Sequence, residues 1–300
     1  MVWICLILFI FWLSSAEAAP LVCGGVDDTL ALQSDIDRAR IARGGIIQLP
    51  FGTCRVRALN GRNLIGVRIE GITSFGSILA PLESGGIMFD LTDSFDITLT
   101  RFTLGNPWQP TTHTPLVGLL TAHADLATPS SNLIHLDQLV ISGTFGWAAW
   151  INLGVTSSTV IRSQFYNFSP GIGTVVFVAY NWMGLTSPFG PLMTGNSGPT
   201  DWTFLGSEIH NFGGGAALWL GGADSLRFFG GNISVNLGFP HFVDVNVAGT
   251  IPTGPNLIFD GTTFYTDDGS RPRCLVQSNQ GPLPVRVNSL GIPAGIFALC

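Results

Sequence analysis

Acid–base chemistry in this sequence is predicted to centre on His135, Asp137 and Arg162, with Glu208 as a second carboxylate. His135 and Asp137 are two residues apart, so on a β-strand their side chains share one face. A carboxylate, an imidazole and a guanidinium in one groove can serve general acid–base catalysis. The alternative is a surface ladder of ion pairs, which contributes little to stability.

In the catalytic interpretation Asp137 is the acid or base, Arg162 holds a substrate carboxylate or tunes Asp137, and His135 assists. A guanidinium beside a carboxylate favours its ionised form, which suits a base better than an acid. Hydrolysis also needs a protonated acid, for which Glu208, two residues before His210, is the candidate. The predicted site therefore favours β-elimination or plain binding over hydrolysis.

Short strands in an internal repeat must position these residues. The frame is apolar-x-apolar-x-Gly-x-x-apolar, and it is complete at 202–209, 226–233 and 257–264. Neighbouring copies lie roughly 24 to 43 residues apart, a spacing typical of stacked solenoids. Alternation turns the apolar residues inward, and the glycine permits a tight bend. Stacked coils would then bury one column that contains Phe204, Phe228 and Phe259.

Aligned copies of the frame also predict which side chains point outward. One coil presents His135 and Asp137, and a shortened coil that starts at Thr159 presents Val160 and Arg162. Parallel coils stack about 4.8 Å apart, so these residues should be neighbours near the middle of the stack. The competing architecture is an antiparallel sandwich, which would need longer strands joined by hairpin turns such as Asn-Gly.

One helix is predicted, from about Asp28 to Arg43. Leu32, Ile36 and Ala39 fall on one face at helical spacing, and a pair of glycines at 44–45 ends the helix. The chain after the helix is predicted to consist of strands and turns.

The segment 27–56 resembles the opening of the pectate-lyase-superfamily β-helix proteins. It runs DDTLALQSDIDRA and then GGIIQLPFGTCRV, with Cys54 where the family has a tyrosine. The resemblance implies an all-β fold over residues 19–300, a single-stranded right-handed parallel β-helix with an N-terminal capping helix. It also implies relatives among polysaccharide lyases, hydrolases, epimerases and phage tailspikes. A shared fold does not select one of these activities.

The first 18 residues are predicted to be a signal peptide. An apolar run over residues 2–13 precedes Ala16-Glu17-Ala18, a small-x-small cleavage pattern. An uncleaved membrane anchor is the alternative. We expect a secreted, extracellular protein that has no membrane contact after cleavage.

Four cysteines remain after Cys5 leaves with the signal peptide. In a secreted chain they predict disulfides, and the simplest of the three pairings joins Cys23 to Cys54 and Cys274 to Cys300. A metal site is the weaker alternative, because the sequence has no CxxC motif.

Composition excludes several classes of function. The formal net charge is −6, so no basic footprint for nucleic acid is present. All 13 basic residues are arginine, which excludes a lysine base or Schiff base. No cofactor is expected; calcium is compatible with the fold but lacks a clear aspartate cluster, and Thr266-Asp267-Asp268-Gly269 is predicted to be a turn.

The leading hypothesis is a secreted polysaccharide-active protein, a glycan lyase or glycoside hydrolase of the pectin-lyase-like class. The alternative is a non-catalytic cell-surface or adhesive β-helix that binds glycan or protein. Trp108 and Trp182 lie in turn-rich segments, where an exposed ring could stack on sugar or pack against the protein. The loop from Gly105 to Ser131 interrupts the repeat and could wall a cleft. The polysaccharide is the expected partner, and no oligomeric state follows from the sequence.

Overall fold

A computed structural model describes residues 21–123, 133–171, 173–180, 200–221, 224–236, 238–245, 257–266, 269, 272–278, 285–288 and 297–300. The predicted signal peptide, Trp182, Asp267 and Asp268 lie outside the described residues.

The strands form three parallel sheets, which we call A, B and C. Sheet A contains β1 (Gly45–Gln48), β4 (Ile65–Glu70), β7 (Phe95–Thr100), β10 (Ile134–Asp137), β13 (Thr159–Ile161), β16 (Thr200–Leu205), β19 (Asp224–Phe229), β22 (Leu257–Asp260) and β25 (Val285–Asn288). Sheet B contains β2 (Gly52–Val56), β5 (Ser77–Pro81), β8 (Thr103–Gly105), β11 (Val140–Gly143), β14 (Gln164–Asn167), β17 (Glu208–Asn211), β20 (Asn232–Val235) and β23 (Thr263–Tyr265). Sheet C contains β3 (Leu59–Asn60), β6 (Ile87–Asp90), β9 (Val117–Ala122), β12 (Ala148–Leu153), β15 (Val175–Tyr180), β18 (Leu218–Gly221), β21 (His241–Val245), β24 (Cys274–Ser278) and β26 (Phe297–Leu299).

Paired strands of one sheet are three apart in chain order through almost the whole stack, so each coil adds one strand to each sheet. This is the winding of a right-handed parallel β-helix, and the predicted fold is confirmed. Every strand pair in the described parts of the chain is parallel, which excludes the antiparallel sandwich.

Helix α1 (Thr29–Ala42) covers the first coil. Leu32, Ile36 and Ala39 are buried against the strands, as predicted. The carboxylate of Asp28 accepts hydrogen bonds from the backbone N–H groups of Gly25 and Arg55, which ties the start of the helix to β2. The helix therefore closes the N-terminal end of the apolar core.

The core is a column of aromatic and aliphatic side chains between the three sheets. The rings of Phe204 and Phe228 are 4.5 Å apart, those of Phe228 and Phe259 are 5.0 Å apart, and both pairs are stacked. The predicted inward column is confirmed, and Trp202 is also fully buried in it. Coil stacking thus provides the burial that no single coil could provide.

Backbone and side-chain hydrogen bonds between coils hold the turns. Between sheets A and B one residue of each coil from β7 to β22 has a left-handed backbone, and its N–H group bonds to the next coil: Arg101, Gln138, Arg162, Gly206, Gly230 and Gly261. Between sheets B and C, Asn167 and Asn211 are buried. The amide of Asn167 donates to Val175 O at 2.9 Å and accepts from the N–H groups of Phe145 and Ser169.

The outward face of sheet C is apolar in the middle coils, from β9 to β18. Leu120, Ile151 and Val178 align across neighbouring strands there and are buried in a second apolar cluster, with Trp219 at its edge.

Both predicted disulfides, Cys23–Cys54 and Cys274–Cys300, are formed. Among the residues that the structure describes, no helix is long and apolar enough to cross a membrane.

Candidate functional site

Arg162 and Asp137 do meet on sheet A, although the predicted frame of the shortened coil is wrong by one residue. His135 aligns with Thr159 and Asp137 with Ile161, so Val160 points into the core. Burial of Val160 fixes the register and moves Arg162 into the left-handed turn. From that turn its guanidinium reaches Asp137 Oδ1 at 3.2 Å.

The other predicted member of this group, His135, bonds through Nδ1 to Thr159 Oγ1 on the next coil at 2.5 Å. The Asp137–Arg162 pair is open to solvent, with 33% and 65% of the two side chains exposed. Similar surface contacts occur elsewhere on sheet A: Arg101–Glu70 at 3.3 Å, Arg227–Asp201 at 3.4 Å and Asn288–Asp260 at 2.8 Å. This recurrence favours the ion-pair-ladder interpretation of the sheet A residues.

Glu208 lies on a different sheet and is not brought together with His135 and Asp137. It begins β17 of sheet B, where Glu208 and His210 point outward on either side of the buried Ile209. Gln164 and Asn232 align with Glu208 on the two neighbouring strands. Four side chains align with His210 in a second column: Ser142, Tyr166, Ser234 and Tyr265.

Three side chains converge on one oxygen of Glu208. The hydroxyl of Tyr166 donates to Oε2 at 2.8 Å, and Gln164 Nε2 donates to it at 3.4 Å. His210 Nε2 lies 3.5 Å from the same oxygen. The carboxylate is thus held between three neighbours while about a third of the side chain remains exposed.

The imidazole of His210 is buried and held on both sides. Its Nδ1 lies 2.8 Å from Ser234 Oγ and 3.1 Å from Tyr265 Oη, and its ring stacks on Tyr166 at 4.9 Å. Either hydroxyl can donate to Nδ1 when the ring proton is on Nε2, the nitrogen that faces Glu208. Hydroxyl, imidazole, carboxylate and phenol thus lie in one row, in which the 3.5 Å step from Nε2 to the carboxylate is too poorly aligned for a hydrogen bond.

This arrangement shifts the pKa values of Glu208 and Tyr166 in opposite directions. His210 beside Glu208 lowers the pKa of that carboxyl below its ordinary value; burial opposes this shift, and the Tyr166 hydroxyl adds to it. Burial and the neighbouring Glu208 raise the pKa of Tyr166 far above its ordinary value. At neutral pH Glu208 is an anion and Tyr166 is a hydrogen-bond donor.

An aromatic wall borders these residues. Trp108 lies in the segment after β8, where its N–H group bonds to Ser142 Oγ at 3.0 Å and its indole Nε1 bonds to Gln164 Oε1 at 3.2 Å. Half of Trp108 is exposed, and its ring lies 4.2 Å from that of the exposed Phe75. We call the outward side of sheet B from Ser142 to Tyr265, together with Trp108, the Glu208 face.

The predicted loop from Gly105 to Ser131 supplies only part of this wall. Residues 106–116 contain Trp108, but Val117–Ala122 form β9 of sheet C, and residues 124–131 lie outside the described residues. The strand was missed because its outward side chains are apolar and buried as well, so it shows no alternation.

The sequence contained a signal for the Glu208 face that the repeat frame did not use. The frame compared outward residues on the strand before each glycine bend. The same comparison on the strand after the bend aligns Gln164 with Glu208, and Tyr166 with His210. Tyr166 and Tyr265 had been missed because each lies next to a buried phenylalanine, where an aromatic pair suggests core.

The chemistry available to the Glu208 face is hydrogen bonding, stacking and base action. Most glycoside hydrolases use two carboxyl groups, one on each side of the glycosidic bond that is cleaved. Glu208 is the only carboxylate on the described part of this face. The described residues contain no group of three or more His, Cys, Asp or Glu side chains that could hold a metal ion. Ionised Glu208 is suited to accept hydrogen bonds from sugar hydroxyls or to accept a proton.

Comparison with solved structures finds similar chains at low sequence identity. No protein-family model and no curated protein sequence matches. The chain is similar to ORF18 of Geobacillus virus E2, with 12% identity and a TM-score of 0.49 over 90% of this chain and 58% of that one.

Two further structures have similar chains. Tailspike protein 2 from an Escherichia coli O157:H7 bacteriophage has 14% identity and a TM-score of 0.43 over 87% of this chain and 40% of that one. The A-module of mannuronan C-5 epimerase AlgE4 from Azotobacter vinelandii has 14% identity and a TM-score of 0.35 over 92% and 98%. The chain thus spans about half the length of the two viral proteins. The fold assignment rests on the strand pairing described above.

Proposed function

We propose that the protein is extracellular and recognises a polysaccharide through the Glu208 face. The carrying observation is the row of Tyr166, Glu208, His210 and Tyr265 beside the exposed ring of Trp108, in which both tyrosines are hydrogen-bonded and His210 Nε2 lies 3.5 Å from Glu208. A few convergent polar groups next to aromatic surface are typical of ligand sites. An exposed ring offers a flat apolar surface for the C–H face of a sugar.

The extracellular location is supported by chemistry rather than by the comparisons. Both disulfides close within the β-helix, and such bonds persist in oxidising compartments. The apolar run and small-residue site over the first 18 residues agree with export.

Cleavage of the bound glycan, by a lyase or hydrolase reaction, is the second candidate. One observation favours it: His210 and Tyr166 both approach the ionised Glu208, in an arrangement that can accept and relay a proton. Glycan-active proteins with this winding include a capsular polysaccharide depolymerase from an Acinetobacter baumannii bacteriophage. Pure binding needs no such relay and is the simpler proposal.

A glycan array tests the binding proposal. The secreted protein is applied to the array beside three variants: Trp108→Ala and Glu208→Gln on the Glu208 face, and Arg227→Ala on sheet A. We expect the first two variants to lose at least about tenfold in affinity for the glycans that the wild type binds, which corresponds to about 1.4 kcal/mol. The sheet A variant should bind like the wild type. Equal binding by all four proteins would refute the proposal.

Cleavage is scored on the same glycans. Release of reducing ends, or of unsaturated uronate products, that disappears in Glu208→Gln would establish the second candidate. Intact glycans after long incubation would leave binding as the function.

A further inference from the structure

Resting on the proposed function, we infer that the glycan recognised by the Glu208 face is uncharged and that this face excludes polyuronates. The observation that carries the inference is the charge along sheet B. Apart from the carboxylate of Glu208 and the buried imidazole of His210, its outward residues from β11 to β23 are uncharged hydrogen-bonding or apolar groups.

No described arginine lies on the outward side of this part of sheet B. Only five arginines follow Arg101 in the sequence, and no lysine occurs anywhere. Arg162, in the turn that precedes β14, is paired with Asp137 of sheet A, and Arg227 on sheet A is paired with Asp201. Of the other three, Arg286 lies outward on β25 of sheet A, Arg273 directly precedes β24 of sheet C, and Arg271 is outside the described residues.

The nearest arginine on sheet B itself is too far away to compensate. Arg55 lies on β2, five strands before β17 in the order of the sheet. At about 4.8 Å per strand the separation is about 24 Å, more than twice the Debye length of roughly 8 Å at physiological ionic strength. Among the described residues, a uronate held against Glu208 would meet an anion with no arginine on this face and only the buried imidazole of His210 beside it.

Neutral sugars, in contrast, match what this face offers. Glu208 accepts hydrogen bonds, while Gln164, Asn232 and the tyrosine hydroxyls can donate or accept. The Trp108 ring, with Phe75 against it, adds an apolar surface at one end. Such groups recognise hydroxyls and C–H faces without requiring a charge on the ligand.

The test uses a matched pair of probes in addition to the array. Polygalacturonic acid and its carboxyl-reduced form have the same backbone and differ only in the carboxylate. We expect every array glycan that needs Trp108 for binding to lack carboxylate, sulfate and phosphate groups. We also expect polygalacturonic acid to bind at least tenfold more weakly than its reduced form or than the best neutral glycan of the array.

A charge-insertion variant sharpens the test. Asn232→Arg places a cation next to Glu208 and should raise polygalacturonate binding at least threefold, whereas Thr98→Arg on sheet A should leave it unchanged. The inference is overturned if a uronate glycan binds through the Glu208 face and carboxyl reduction weakens it. If no glycan binds, or if Trp108→Ala and Glu208→Gln leave binding unchanged, the proposed function fails as well. Failure of the inference and failure of the proposed function are therefore distinguishable.

Discussion

The outward faces of sheets A and B are built from the same coils, but their charged residues are arranged differently. Sheet A carries exposed ion pairs such as Asp137–Arg162 and Arg227–Asp201, each joining two neighbouring coils. Sheet B carries one anion, Glu208, with Tyr166 and His210 converging on one of its oxygens. Negative charge is spread along the first face and concentrated at one point of the second.

The difference shows that residue types alone do not identify a site in a solenoid. His135, Asp137 and Arg162 have the right chemical groups, but they lie in a series of similar solvent-exposed contacts. The residues around Glu208 are less suggestive in the sequence, yet they share partners and partial burial. Convergence on one atom is the stronger indication of a ligand site.

The largest expected effect concerns the stability of the apolar core that lies behind both faces. Phe228→Ala removes the middle ring of the Phe204–Phe259 column and should lower the free energy of unfolding by about 3–5 kcal/mol. Phe229→Ala is the matched control, because Phe229 points outward and is 39% exposed; it should cost less than about 1 kcal/mol. Urea denaturation of both variants measures the difference. Similar losses for the two would show that the frame of β19 is wrong.

The second prediction compares one hydrogen bond on each face. Tyr166→Phe removes the donor to the half-buried Glu208 and should cost about 1–2 kcal/mol, since bonds to charged groups are worth about 1.5–3 kcal/mol before solvent exposure is considered. Arg162→Ala removes an exposed partner and should cost about 0–1 kcal/mol. Thermal denaturation at neutral pH ranks the two variants. The contrast between the faces breaks down if Arg162→Ala is the more damaging change.

The third prediction concerns pH. The pKa of Glu208 is lower in the folded chain than in the unfolded one, because His210 and Tyr166 stabilise its ionised form. Its contribution to stability is therefore fully present above about pH 4.3, the ordinary value for glutamate, and is lost as the pH falls through the lowered folded value. The stability gap between wild type and Glu208→Gln should shrink between neutral pH and pH ~3. A gap that is constant over this range would contradict the network.

The smallest expected effect is that of Asp137→Asn. The substitution keeps the shape of the side chain and removes only a solvent-exposed charge, so the free energy of unfolding should change by about 0.5 kcal/mol or less. Glycan binding and any cleavage should remain at the wild-type level. Loss of activity at unchanged stability would place the reacting centre on sheet A and reverse the comparison of the two faces.

Much of the fold was accessible from the sequence because it depends on strong local signals. The helix face of Leu32, Ile36 and Ala39 and the phenylalanine column were both predicted and both observed. Val160 was misplaced because a shortened coil leaves two frames that each bury an apolar residue. Only packing against the neighbouring coils selects between them.

The site was harder to predict because it depends on distances between coils. Glu208 was named as a candidate, but its partner Tyr166 and the Tyr265 that contacts His210 lie 42 and 57 residues from it in the sequence. Variable turn lengths hide this alignment until the strands are paired. The contact between Asp137 and Arg162 was predicted correctly even though the assumed frame was not. In the observed frame Ile161 is aligned with Asp137, but Arg162, the next residue in the chain, still reaches Asp137 from its turn.

The buried side chain of Asn167 has a consequence for how the protein can be made. Asn167-Phe168-Ser169 matches the acceptor sequence for N-linked glycosylation. In the folded chain the nitrogen that would carry the oligosaccharide is enclosed and donates to Val175 O. Modification is therefore compatible only with the unfolded chain, and an attached oligosaccharide would keep this turn from closing. Production in a bacterial periplasm, which forms disulfides without this modification, avoids that conflict, and the fraction of correctly folded protein should be higher there than in a glycosylating host.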